Sequence, residues 1–274
     1  MPNIEANGAN IWYDVQGQGE PIVAIGGMAL VSNQFDFCTP HIAEKAQIVN
    51  FDLGGVGKSR PIPKLNYADY ADQADDAIAV MDEIGLEKAH FWAAACSHIA
   101  VRFAAAYPER TASLIFFPWY SPKQTINHVF DAGIELSYAF DSMEQWAKII
   151  ATAFTAEDRQ QKLLDWEVPK IIENLEPEMF RIHWRSMKEC NRRCDLEQIK
   201  APTLLLMSDA GVAGNEANQR ELSRVSESIS APVETHFIAG TGGTYYMIEE
   251  PEETARVLVE WMDKHPTKQG RAAA

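Results

Sequence analysis

The chain has 274 residues, of which 46% are hydrophobic, and carries a formal net charge of -15 at pH 7. That length suits one large domain, or one domain with an insertion. The acidity serves solubility and argues against nucleic acid or an anionic membrane as a partner, because phosphate-binding surfaces need clustered Lys and Arg.

The four cysteines, Cys38, Cys96, Cys190 and Cys194, are too few for a disulfide framework. Cys190 and Cys194 would share a helix face, but no nearby histidine or second cysteine pair completes a metal set, and no metal or cofactor is expected. The first ten residues are polar, without an apolar signal core, and no apolar run reaches membrane-spanning length. A cytoplasmic location is the expectation.

Asn7-Gly8 favours a tight hairpin turn between two strands. Ile11, Tyr13 and Val15 alternate with Trp12 and Asp14, as in a half-buried strand. Pro21 to Ile25 and Gln47 to Phe51 are continuous apolar runs, each ending in a glycine-containing loop, and suit a buried parallel sheet. Asp69 to Ile84 reads as a helix with Ala74, Ile78, Met81 and Ile84 on its inner face and Gly85 as its stop. A strand at Ala89 to Trp92, a helix through Ala106 and a strand at Ala112 to Phe117 follow. This alternation predicts an α/β fold with a mostly parallel central sheet flanked by helices.

The alternation stops from Trp119 to about Gln198, where helical patterns carry many large side chains, among them Phe130, Tyr138, Trp146, Trp166, Phe180 and Trp184. The segment reads as an inserted helical cap over residues 119–198, leaving a core of 1–118 and 199–268 and a tail of 269–274 outside the fold. The pattern resumes with a strand at Pro202 to Met207, a helix from Glu221, a strand at Thr235 to Ile238 and a last helix starting at Pro251.

The order of these elements resembles the α/β-hydrolase superfamily, in its capped branch of haloperoxidases and C–C hydrolases. Gly26-Gly27-Met28 is similar to the family's loop after the third strand. Phe51-Asp52-Leu53-Gly54-Gly55-Val56-Gly57-Lys58-Ser59 is similar to its Asp-x-Arg-Gly-x-Gly-x-Ser turn, with Gly54 in place of Arg. Ala106-Tyr107-Pro108-Glu109-Arg110 resembles the end of the helix after the nucleophile, and Ile248 to Glu253 the start of the last helix.

The resemblance implies a nucleophile elbow at Trp92-Ala93-Ala94-Ala95-Cys96-Ser97-His98, with its serine position on Ala95 by the forward count, preferred over Ala94 by the count back from Tyr107-Pro108, and small residues two positions to either side of Ala95. The family's acid falls on Gly211, with Asp209 nearby, and its base on Gly243, so all three triad positions lack a reactive group. The oxyanion donors would be the Met28 and Cys96 amides.

Several explanations follow. The triad was removed by engineering, in whole or at the elbow serine alone, with an acid and base displaced elsewhere. Cys96 is a relocated nucleophile, or a small buried thiol. The chain binds a small hydrophobic molecule without catalysis. Or hydrolysis was abandoned and the pocket kept, which suits a cofactor-independent cyclase, lyase or isomerase acting on a small apolar carbonyl compound.

For that last reading the catalytic candidates are Cys96, His98, Tyr245 and Tyr246. Gly27, Met28, Ala95, Trp119, Tyr120, Thr244 and Tyr245 would line the substrate site. His128 and His183 in the cap read as surface or packing residues. A homodimer is open.

Overall fold

The computed structural model describes residues 2–63, 73–118, 127–139, 142–154, 160–189, 193–210, 216–242 and 245–267. The chain opens with strands β1 (Asn3–Ala6) and β2 (Ala9–Gln16), joined by Asn7 and Gly8, which both take positive φ, as a tight hairpin turn requires. Then come β3 (Pro21–Ile25), α1 (Thr39–Ala43), β4 (Gln47–Phe51), α2 (Ala74–Glu83), β5 (Ala89–Ala93), α3 (Ser97–Ala106) and β6 (Thr111–Phe116).

Five helices are inserted next: α4 (Asn127–Ala139), α5 (Met143–Phe154), α6 (Gln160–Asn174), α7 (Pro177–Glu189) and α8 (Arg193–Gln198). The core resumes with β7 (Thr203–Ala210), α9 (Glu216–Ser228), β8 (Val233–Gly242), α10 (Tyr246–Glu249) and α11 (Pro251–Lys264).

The described strands form one eight-stranded sheet in the order β1-β2-β4-β3-β5-β6-β7-β8. β1 and β2 run antiparallel to their neighbours, and the rest pair in parallel. Side chains of period two divide between two apolar layers. Val23, Ile25, Phe91, Ala93, Leu114 and Phe116 pack toward α2 and α3. Ile22, Ala24, Trp92, Ala94, Ile115 and Phe117 pack toward α11 and part of the cap. Burial on both faces explains why these strands read as unbroken apolar runs.

Three details differ from the sequence reading. Trp12 is buried like its neighbours, because the Lys58 ammonium lies 3.6 Å from its ring centroid and covers the expected solvent face. The inner face of α2 is centred on Ala74, Ala77, Val80 and Met81, with Ile78 and Ile84 only partly buried. α9 begins five residues before Glu221. The start expected for α2, at Asp69, lies outside the described residues.

The cap is seated by polar groups at the corner between α6 and α7. Asn174 Nδ2 donates to Asn33 Oδ1 at 3.0 Å and to the Leu30 carbonyl at 3.4 Å. Gly57 N donates to the Asn174 carbonyl, and Arg60 pairs with Glu176 at 2.8 Å. α7 then bridges both apolar layers. Its Met179 joins the α2–α3 side, while Phe180 and Trp184 join the other, where Phe180 meets Trp146 edge-on at 4.6 Å.

Candidate active site

β5 ends at Ala93, and α3 starts at Ser97, so Ala94, Ala95 and Cys96 make the strand-to-helix turn. Ala94 and Cys96 are fully buried, while Ala95 between them is partly exposed. The turn therefore presents one residue outward, and that residue is a methyl group. It faces the loop after β3. A Cβ placed on Gly27 would stand 2.9 Å from the Ala95 methyl and 3.2 Å from Gln34 Oε1, so only glycine fits there without displacement.

The Gly27 amide donates to Gln34 Oε1 at 2.6 Å, and its carbonyl accepts from Val31 N at 2.7 Å. Val31 holds φ at 47°, a costly setting for a β-branched residue. Strain of this kind persists only where surrounding contacts enforce it. Here the enforcement comes from Asp52, whose Oδ1 accepts from Ser32 N at 2.9 Å and whose Oδ2 accepts from Lys58 N at 2.9 Å. The Asp-x-x-Gly turn thus braces the loop opposite the elbow.

The hetero atoms beside Ala95 point away from the apex. Ser97 Oγ donates to the Phe117 carbonyl at 2.5 Å, tying α3 to the end of β6. The Cys96 side chain is inside the α2–α3 apolar layer with Ile99 and Phe103.

Tyr246 packs against Trp92, whose Nε1 donates to its hydroxyl at 3.1 Å, and burial pushes its ionisation upward. Tyr245 is also buried, and burial, reinforced by the Glu167 carboxylate on α6, pushes its ionisation well up. Neither phenol is a phenolate base near neutral pH.

His98 lies in the first turn of α3, almost fully buried. Its ring centroid is 5.1 Å from that of His183 on α7. Burial, then the neighbouring His98, holds His183 well below the usual imidazole range. In sequence His183 reads as a surface or packing residue, because its partner is 85 residues away and sits on the core rather than the cap.

Gly211, Gly243, Thr244, Trp119 and Tyr120 lie outside the described residues, as do the side chains of Asp209 and His128. Among the described residues no group of three or more His, Cys, Asp or Glu is placed to hold a metal ion.

A Ser-His-Glu hydrogen-bonded chain does exist at the opposite end of the sheet. His90 Nδ1 is 2.7 Å from Ser113 Oγ, and His90 Nε2 is 3.3 Å from Glu20 Oε1. Ser113 is completely buried and its oxygen accepts from Trp261 Nε1 at 2.9 Å. No substrate reaches it, and the array serves as a strut.

No protein-family profile matches the sequence. Among solved structures, the enol-lactonase from Burkholderia xenovorans LB400 superposes with a TM-score of 0.78 at 14% identity, covering 96% of this chain and 100% of that one. The meta-cleavage product hydrolase CumD from Pseudomonas fluorescens IP01, in a serine-to-alanine variant complexed with acetates, gives 0.78 at 18% identity, covering 97% and 98%.

The chain has the α/β-hydrolase fold. The β5–α3 turn carries Ala95 as its one partly exposed residue. In sequence the chain is 30% identical over 118 residues to the "Putative carbamate hydrolase RutD" of Azorhizobium caulinodans, covering 42% of this chain and 43% of that protein. The chain thus matches less than half the length of this curated relative.

Proposed function

We propose that the chain is a non-hydrolytic, cofactor-independent enzyme. It binds a small, largely apolar carbonyl compound between a cap at 119–198 and the elbow, and works by proton transfer without an acyl intermediate. The observation that carries this reading is the outward-facing Ala95 methyl, with the Ser97 hydroxyl committed to Phe117 and the Cys96 side chain in the core. A covalent mechanism needs an attacking atom at that point.

A carbonyl oxygen at the apex would lie at the amino end of α3, near the Met28 and Cys96 amides, where the helix dipole favours developing negative charge. Elimination, isomerisation, cyclisation and decarboxylation can all use such charge stabilisation with a single acid or base. A second reading, a hydrolase whose nucleophile has been replaced, is favoured by the name of the sequence relative.

The two separate in water enriched in oxygen-18. Small lactones, carbamates and β-keto acids are incubated with the chain and the products weighed by mass spectrometry. Rearranged or fragmented products without a new labelled carboxylate support the proposal. A new carboxylate carrying the label overturns it. Saturable binding with no product makes the chain a non-catalytic binder and also overturns it.

A further inference from the structure

We propose that Asn174, at the α6–α7 corner of the cap, is a clasp that keeps the loop after β3 in a strained form, so that cap seating and the contact between Gly27 and Ala95 switch together. This coupling needs no reacting group and goes beyond the chemistry proposed above. The strained point is Val31, whose φ of 47° puts a β-branched residue in the left-handed region. Its side chain is buried and its carbonyl presses on the chain ahead of it, since a Cβ on Gly26 would stand 2.0 Å from the Val31 oxygen. On the far side of Val31, Ser32 N is fixed on Asp52. Relief of the strain turns φ negative, and with Ser32 fixed the peptide between Leu30 and Val31 must swing.

Both ends of that peptide are held. Its N–H donates to the Gly27 carbonyl at 2.7 Å. Its carbonyl, that of Leu30, accepts from Asn174 Nδ2 at 3.4 Å. The second hydrogen of the Asn174 amide serves Asn33 Oδ1 at 3.0 Å, and Asn33 Nδ2 is committed to Asp36 Oδ2 at 2.8 Å, which leaves Oδ1 as the acceptor. Asn174 is itself buried, and its carbonyl accepts from Gly57 N in the turn that carries Asp52. One cap residue therefore joins the braced turn to the strained loop.

The path to the β5–α3 turn is short. With Asn174 seated, the swing costs two hydrogen bonds. With the cap corner lifted, the Leu30 carbonyl is released and one bond alone opposes the relief of strain. Gly27 moves with the peptide that its carbonyl holds, and Gly27 lies against the Ala95 methyl. Val31 is thus a two-state element that a single cap contact biases. A molecule entering under a lifted cap meets the relaxed loop, and reseating the cap returns Gly27 to Ala95.

The contact is read as the nuclear Overhauser cross-peak between the Gly27 α-protons and the Ala95 methyl, in the whole chain without ligand. Asn174→Ala and the near-isosteric Asn174→Asp, which has no donor, should each weaken it by at least about threefold and shift the Ala95 methyl signal. Val31→Gly should keep the cross-peak, because glycine takes positive φ without the Cβ penalty, and combined with Asn174→Ala it should restore at least about half of the lost intensity. Glu176→Gln breaks the neighbouring ion pair with Arg60, leaves Asn174 in place and should change nothing at Gly27. Thermal unfolding curves identify the folded variants.

A parent chain without the cross-peak, an unchanged cross-peak in a folded Asn174 variant, no recovery on adding Val31→Gly, or an equal loss in Glu176→Gln would each overturn the proposal. Failure of both Asn174 variants to fold would overturn it too, by making Asn174 a support of the whole fold. No turnover is measured, so the outcome is separate from that of the oxygen-18 experiment.

Discussion

At the scale of single residues, the β5–α3 turn presents the Ala95 methyl where the resemblance would place a nucleophile. Placing a serine there alone should not create the chemistry, because Gly211 and Gly243 stand where the resemblance would put an acid and a base. Ala95→Ser is therefore expected to give no turnover of p-nitrophenyl acetate above the parent chain. An acetylated Ser at position 95, detected by mass spectrometry, would mean that a base has been supplied from elsewhere.

Cys96 is expected to be inert. In a Cys190→Ser, Cys194→Ser background, Cys96 and Cys38 are both buried, and burial pushes the Cys38 thiol well up. A disulfide reagent should find no fast thiol until the chain is unfolded, and a rapid reaction in native buffer would reopen the nucleophile assignment.

Ser113 makes the opposite point, since the side chains of a triad are present and their role is mechanical. Ser113→Ala should leave catalysis unchanged and destabilise by about 1–3 kcal/mol, measured by urea unfolding, since it strands His90 and the Trp261 indole.

At the scale of elements, the core was legible because its signals are local. Apolar runs of strand length, Gly85 after α2 and Pro251 at the start of α11 are read from neighbours in sequence, and the strands and helices lie there. Errors arose where a distant group decides burial. Trp12 is covered by Lys58 from another loop, and alternation within β2 cannot report that. The cap shows the same limit. Its aromatic composition predicted helices, while the face each helix turns to the core depends on partners far away in sequence. Gly133 of α4 is an example, since a Cβ there would stand 1.9 Å from the Trp184 ring.

The same non-local contacts predict how the cap is held. Asn174→Ala removes the donor to Asn33 and Leu30 while leaving the Glu176–Arg60 pair, and should cost about 1–2 kcal/mol. Amide exchange should quicken first in α7, at the corner beyond Asn174, with the strands unchanged. Uniform quickening across the sheet would show that this contact supports the whole fold rather than the seating of the cap.

At the scale of the whole molecule, the net charge of -15 and the buried carboxylates act together. Asp76 is held by neutral donors among the described residues. Asn7 Nδ2 reaches its Oδ1 at 2.7 Å and Gly54 N its Oδ2 at 2.9 Å. A Cβ at position 54, where the resemblance implies arginine, would stand 3.3 Å from that same Oδ2. Burial, partly offset by the Asn7 and Gly54 hydrogen bonds and reinforced by Asp75, raises the Asp76 carboxyl to about 6.

The sign follows from proton binding. Between the unfolded value near 3.9 and the folded value near 6, the folded chain holds a proton that the unfolded chain has released, so this group makes stability fall as pH rises. Asp52, raised by burial despite hydrogen bonds from Lys58 and Ser32, adds in the same direction. Glu20 opposes them. Burial favours its neutral form, but the hydrogen bonds from His90 and Thr267 outweigh it and lower its ionisation, so its contribution is lost only in acid below the usual glutamate range.

Stability should therefore peak on the acid side of neutral. Moving from about pH 5 to about pH 7.5 should cost the parent chain about 1.4 kcal/mol through Asp76 alone. Asp76→Asn removes that slope, though it leaves one of the two donors without an acceptor and so lowers stability at both pH values. Urea unfolding of both chains at the two pH values isolates the difference, and equal slopes would mean that Asp76 is hydrated in the folded state.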